Sequence, residues 1–141
     1  MKIDKLWNGL KRIANGDYVL EGDLISEETI EIDLNDRFVV RGRIQTKKSI
    51  VVRCGIEAGC GIKAGEGIKA GWGIEAGCGI EAGEGIKAEK FIDVQKRIFA
   101  GISVYRTSRD CDKTIRCAEL RNGEICYGDL TLTKEGKPDE G

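Results

Sequence analysis

Three features of the sequence predict an all-β fold, a three-sided β-solenoid with 18-residue coils. They are an internal 18-residue repeat, isoleucine at every sixth position, and paired glycines between the isoleucines. Eleven of the 20 glycines lie between Gly55 and Gly85, in a hexad that reads G-I-(E/K)-A-G-X. Residues 54–71 and 72–89 agree at 15 of 18 positions, differing at Cys54/Trp72, Lys63/Glu81 and Gly71/Glu89. A flexible Gly/Ala linker has no reason to hold such an apolar register. Three distinguishable hexads per repeat mean one strand and one corner each, with coils stacked at about 4.8 Å through parallel ladders.

The register extends beyond the glycine-rich hexads. Steps of 18 give the columns Phe38-Ile56-Ile74-Ile92, Ile44-Ile62-Ile80-Ile98 and Ile50-Ile68-Ile86-Val104. Two residues on, the columns are Val40-Ala58-Ala76-Val94, Thr46-Ala64-Ala82-Ala100 and Val52-Ala70-Ala88, apolar except for one threonine. Residues two apart on a strand share a face, so Ile56 and Ala58 both point inward. Four regular coils are expected over about residues 36–107. The G-X-G corners are expected to use positive φ, which glycine reaches without steric cost, and to turn X outward.

The ends are expected to be capped, because a solenoid exposes unpaired strand edges. Ile3, Leu6, Trp7, Leu10 and Ile13 fall at helical spacing, so residues 1–17 predict a short amphipathic capping helix, with a basic membrane-surface helix as the other reading. Residues 18–35 read as an irregular entry coil into a solenoid spanning 18–107. Thr114–Leu120 and Glu124–Tyr127 flank Arg121-Asn122-Gly123, and Asn-Gly between alternating runs predicts a hairpin cap over 108–133. Asp129–Thr133 adds a third strand, and 134–141 reads as a frayed tail.

Composition narrows the chemistry. The chain has 141 residues, 40% hydrophobic and 33% charged, which is the balance of one soluble globular domain. It has no histidine, hence no histidine base, nucleophile partner or metal ligand. A net charge of −1 supplies no field to attract nucleic acid, so direct nucleic-acid binding is not expected. No run approaches about 18 apolar residues and the N-terminus lacks a signal-peptide core, so a cytoplasmic protein away from membranes is expected. The G-x-G motifs are not followed by helices or a Gly-Lys-Ser/Thr ending and are no phosphate loops. No enzyme, cofactor or metal is expected.

Cys60 stacks on Cys78 in the next coil, near enough for a disulfide, although reduced thiols suit a cytosolic protein. Cys111, Cys117 and Cys126 lack the C-x2-C knuckle of structural zinc. Outward charges form columns: Glu57, Glu75 and Asp93 on one side, Lys63 and Glu81 on the next, Lys69 and Lys87 on the third, with Glu66 over Glu84 at a corner. Same-sign columns repel modestly, so an acidic and a basic edge point to an electrostatic interaction surface, or to charges copied along with the repeat. Trp72, between Gly71 and Gly73, fits an aromatic interface anchor or a cover over Gly55 and Cys54.

Over residues 36–107 the hexads, with Ile56-Glu57 and its repeats, resemble the hexapeptide-repeat solenoids of the acyltransferase superfamily. That family has an aliphatic first, a small or acidic second and a small fifth position, whereas here the fifth carries Cys, Glu or Trp. Its members use a catalytic histidine, so the resemblance implies the shape and not the activity. The coil also resembles bactofilin-like β-helices, which polymerise through bare apolar ends that the predicted caps would close. In build the chain is similar to phage-encoded repeat proteins that inhibit host nucleases, including anti-CRISPR and DNA-mimicking inhibitors. This implies a protein partner in the host cytoplasm. The expected function is a non-catalytic binding solenoid that occludes or scaffolds a macromolecular partner, gripped at Trp72, Glu57, Glu75, Asp93, Glu66, Glu84, Lys69 and Lys87. The alternative is a homo-oligomer or filament joining acidic to basic edges.

Overall fold

The computed structural model describes residues 2–4, 11–12, 16–101 and 113–133, and among them there is no helix. Strands β1 (Lys2–Asp4) and β2 (Lys11–Arg12) precede about six stacked coils. The first coil contains β3 (Tyr18–Leu20), β4 (Leu24–Ser26) and β5 (Ile30–Asp33). The second contains β6 (Phe38–Val40), β7 (Ile44–Thr46) and β8 (Ile50–Val52); the third, β9 (Ile56–Ala58), β10 (Ile62–Ala64) and β11 (Ile68–Ala70). The fourth contains β12 (Gly73–Ala76), β13 (Ile80–Ala82) and β14 (Ile86–Ala88). In the fifth, β15 (Phe91–Ala100) runs along two faces before β16 (Thr114–Cys117); in the sixth, β17 (Glu119–Tyr127) does the same before β18 (Asp129–Leu132).

Each face is a parallel ladder. The third is the seven-stranded series β1-β5-β8-β11-β14-β16-β18. The first runs β3-β6-β9-β12 and the second β4-β7-β10-β13, both continuing onto β15 and β17. Across the repeat the pairing matches the sequence register: Ile56 opposite Ile74, Ile62 opposite Ile80, Ile68 opposite Ile86. Main-chain bonds knit successive coils, as when Ile44 N–H donates to Gly61 O at 3.0 Å and Ile62 N–H to Gly79 O at 3.0 Å. The isoleucine and alanine columns are buried and form one continuous core. Thr46, the one polar member, donates its hydroxyl to Glu28 O and accepts from Lys48 N–H, so its burial leaves no polar atom orphaned.

Several expectations are corrected. The capping helix over residues 1–17 is not formed where the chain is described. Lys2–Asp4 pairs parallel with Glu31–Asp33, Lys11–Arg12 pairs antiparallel with Tyr18–Val19, and Ile3 is buried in the core. Stacking on an existing ladder satisfies both main chain and side chain of Ile3, which overrides a short and marginal helical pattern. Leu6, Trp7, Leu10 and Ile13 lie outside the described residues. The entry segment is a regular coil, twenty residues from the next, with its two additional residues at the third corner, where Leu34 is buried.

The hairpin cap is likewise absent. β16, β17 and β18 all pair parallel, extending the solenoid. Asn122-Gly123 turns the chain from the first face to the second, with Gly123 at φ 131°. The third isoleucine column continues from Ile86 to Ile115 rather than to Val104, which lies outside the described residues.

The corner glycines also differ from expectation. None of Gly55 to Gly85 has a positive φ. They are required by proximity instead. A Cβ on Gly65 would lie 2.2 Å from Lys47 O, and one on Gly71 2.2 Å from Arg53 O. Gly59, Gly65, Gly71 and Gly77 each pass so close to a carbonyl of the preceding coil that a Cβ would meet it at 2.1–2.2 Å.

Candidate interaction surface: two charge ladders and an aromatic corner

On the first face the outward position of successive coils reads Val39, Glu57, Glu75, Asp93 and Asn122. Three carboxylates are thus held at the coil repeat by the same parallel register that aligns the core. Arg37 reaches across them. Its guanidinium contacts Asp17 at 2.7 Å, Glu75 at 3.2 Å and Glu57 at 3.5 Å. The Arg37 side chain passes beside Gly55, where a Cβ would meet its Cγ at an ordinary contact distance of 3.6 Å. At the other end Asn122 Nδ2 donates to Asp93 Oδ1 at 3.1 Å.

These contacts do not neutralise the column. Burial pushes the Glu75 carboxyl up to about 7, helped by its hydrogen bond with Glu57 and by the charges of Glu57 and Asp93, against the lowering influence of Arg37. The hydrogen bond to Asp17, with the charges of Glu57, Asp17 and Glu75, raises Arg37 against burial. Because the folded-state pKa of Glu75 lies above its unfolded value near 4.5, its contribution to stability is full below pH 4.5 and is lost as pH rises through 7. Glu75→Gln is therefore expected to flatten the stability profile between pH 5 and 8. At pH 8 it should gain about 1 kcal/mol over the parent, allowing for solvent screening. Urea titrations at several pH values check this; a parent with no fall in stability across that interval would contradict it.

The third face carries the opposite sign. Lys69 stands opposite Lys87, and Lys87 opposite Arg116. All three are exposed and none forms an ion pair among the described residues. Sequence reading found Lys69 and Lys87 but missed Arg116, because residues 101–113 interrupt the 18-residue step. Arg37 was missed too: the 18-residue step sets it opposite Gly55, and only its long side chain carries the guanidinium across to the acidic column. On the second face Lys63 meets Glu81 at 3.6 Å, so that column cancels itself.

At the second corner Glu66 follows Lys48 and Glu84 follows Glu66, through main-chain bonds from coil to coil. Glu66 Oε1 accepts from Ser49 Oγ at 3.1 Å, and Lys48 pairs with Glu28 at 3.0 Å. The third corner, between the basic and acidic faces, stacks Cys54, Trp72 and Lys90. Both readings of Trp72 hold in part: its Cδ1 lies 3.7 Å from where Gly55 would carry a Cβ, yet the residue is 50% exposed, with Lys90 Nζ 5.1 Å from its ring centroid. Beside it Phe91 lies over Gly73, and Arg121 stacks on Phe91 at 3.8 Å.

The cysteines do not gather. Cys60 and Cys78 are neighbours in one column and both are free. Cys117 is buried in the core, where burial pushes its thiol up to about 11, and Cys126 is exposed. Cys111 lies outside the described residues. Among the described residues no group of three or more acidic or thiol side chains could hold a metal ion, and no helix is long and apolar enough to cross a membrane.

The fold and its ladders define a class of structure, a parallel β-solenoid with charge sorted by face. Compared with known proteins, the chain matches no family model, no curated protein and no solved structure.

Proposed function

We propose that the protein is a non-catalytic interaction solenoid, a stiff scaffold whose charged faces and Trp72 corner hold or occlude a macromolecular partner. The carrying observation is the third face, where Lys69, Lys87 and Arg116 stand in one exposed column with no ion pair. Solvent screens their mutual repulsion incompletely, so a partner that supplies anions gains what the fold leaves unmatched. The hexad wording shared with the acyltransferase repeats supports the shape, and the lack of histidine supports a role without catalysis. In the narrower form of a phage-encoded nuclease inhibitor, the acidic column would stand in for phosphates. Arg37 among its carboxylates makes that column short, and the basic face carries the reading better.

The second reading is self-association. Among the described residues β17 and β18 each pair along one edge only, and Leu130 (39%) and Leu132 (50%), which continue the core columns of Ile115 and Cys117, are exposed.

Immobilised protein tests the first reading against a Lys69→Glu/Lys87→Glu variant, with both exposed to lysate of the source cells. The expected result is a defined partner held by the parent and bound about tenfold less by the variant, the difference shrinking as salt rises. Identical capture by the two proteins would overturn it.

A further inference from the structure

We propose that the basic ladder of one copy docks on the acidic ladder of a second copy, so that chains associate side by side. This rests on the self-association reading and names the surfaces that would serve it. Lys69, Lys87 and Arg116 lie one coil apart on the third face; Glu57, Glu75 and Asp93 lie one coil apart on the first. The repeat of both columns is the strand spacing of a sheet, about 4.8 Å. An extended acidic peptide presents same-side carboxylates about 6.7 Å apart, and a DNA strand rises about 3.4 Å per phosphate. Neither keeps step over three cations. A second parallel ladder does, and this chain carries one of opposite sign.

The two ladders also span the same three coils. Glu57 and Lys69 belong to the third coil, Glu75 and Lys87 to the fourth, Asp93 and Arg116 to the fifth. Two copies with parallel axes therefore pair all three rungs with an axial offset smaller than one coil. A head-to-tail contact of this kind closes into a ring where its rotation closes and the offset is taken up, and climbs into an open helix otherwise. The corner shared by the two faces, with Cys54, Trp72 and Lys90, then turns inward in every copy. Trp72, half-exposed in a single chain, becomes buried.

The acidic face is suited to receive cations. Glu75 is faced by Glu57 from β9, by Asp93 from β15 and by Arg37, which Asp17 also holds. One guanidinium serves three carboxylates there and does not reach Asp93, so incoming cations meet a net negative surface. Docking favours the ionised form of Glu75 and is expected to strengthen as pH rises from 6 to 8.

Light scattering of the full chain after size exclusion, at about 50 mM and about 500 mM salt, is the first measurement. The expected result is a defined oligomer at low salt that dissociates at high salt, with quenched solvent access to Trp72 in the oligomer. Lys69→Glu/Lys87→Glu should be monomeric at low salt. Its acidic face is intact, so labelled variant should still bind unlabelled parent and, added in excess, break the oligomer down. That mixing result separates loss of the surface from loss of the fold. If the parent is monomeric at both salt concentrations, the self-association reading falls and this inference with it. If the parent is oligomeric but indifferent to salt and to Lys69→Glu/Lys87→Glu, and is dissociated by Leu130→Asp/Leu132→Asp, association runs through the last coil and the ladder contact is overturned.

Discussion

Ile74→Ala is expected to destabilise the protein by about 2–5 kcal/mol, read as a lower urea midpoint with little change in slope. Ile74 is fully buried between Ile56 and Ile92 in the middle of its column. Cores relax around a deletion by drawing neighbouring elements together, and this one has little freedom to do so. Main-chain bonds on all three faces hold the coils at a fixed spacing, for example Phe38 N–H to Gly55 O at 2.9 Å and Trp72 N–H to Cys54 O at 2.9 Å. The cavity therefore persists. Leu132→Ala, at the exposed end of a core column, removes a similar volume and should cost under about 1 kcal/mol. Equal costs at the two positions would show that the coils do close up.

Gly65→Ala is the second large effect, about 1–3 kcal/mol of destabilisation by overpacking. On glycine's flexibility alone the opposite is expected, because alanine at a site with negative φ reduces the entropy of the unfolded chain and commonly stabilises. Gly65 has no positive φ, so the sign is decided by contact. Its Cβ would sit 2.2 Å from Lys47 O and 2.8 Å from the carbonyl carbon, and the backbone on both sides is tied into ladders. Gly55→Ala is the matched control. There the nearest atom is Gly73 O at 3.5 Å, an ordinary contact, and a change within about 0.5 kcal/mol is expected. Thermal unfolding of both variants measures the difference, and a stabilised Gly65→Ala would refute the close-approach account.

The solenoid itself was legible because its period repeats. A column such as Ile56-Ile74-Ile92 is visible from one sequence, and the same step aligned Glu57, Glu75 and Asp93 and paired Lys69 with Lys87. What the sequence hid lies off the columns. Arg116 follows the long interval between Ile86 and Ile115, which a step of 18 does not cross. Arg37 is in step with Gly55 but acts diagonally, its long side chain reaching Glu57 and Glu75 in the next two coils. The ends failed for another reason, because local signals there compete with a template. Asn122-Gly123 favours reversal in isolation, but against β15 its freedom serves a corner, where an added Cβ on Gly123 would come within 2.7 Å of Ile98 Cδ1. Ile3 fits a helical spacing equally well until a ladder offers it a column.

The near-identity of residues 54–71 and 72–89 has a consequence for how the chain finds its register. A strand displaced by one whole coil would meet almost the same neighbours, so local contacts barely discriminate against slippage. Discrimination falls to the few features that do not repeat. Arg37 spans from Asp17 to Glu75, Phe91 fills the hollow above Gly73, and Thr46 fastens to Glu28. They act as index marks on an otherwise uniform scale, each contributing modestly to stability while penalising the miscounted alternatives. Erasing them should leave a chain that still winds, but into coils of mixed frame.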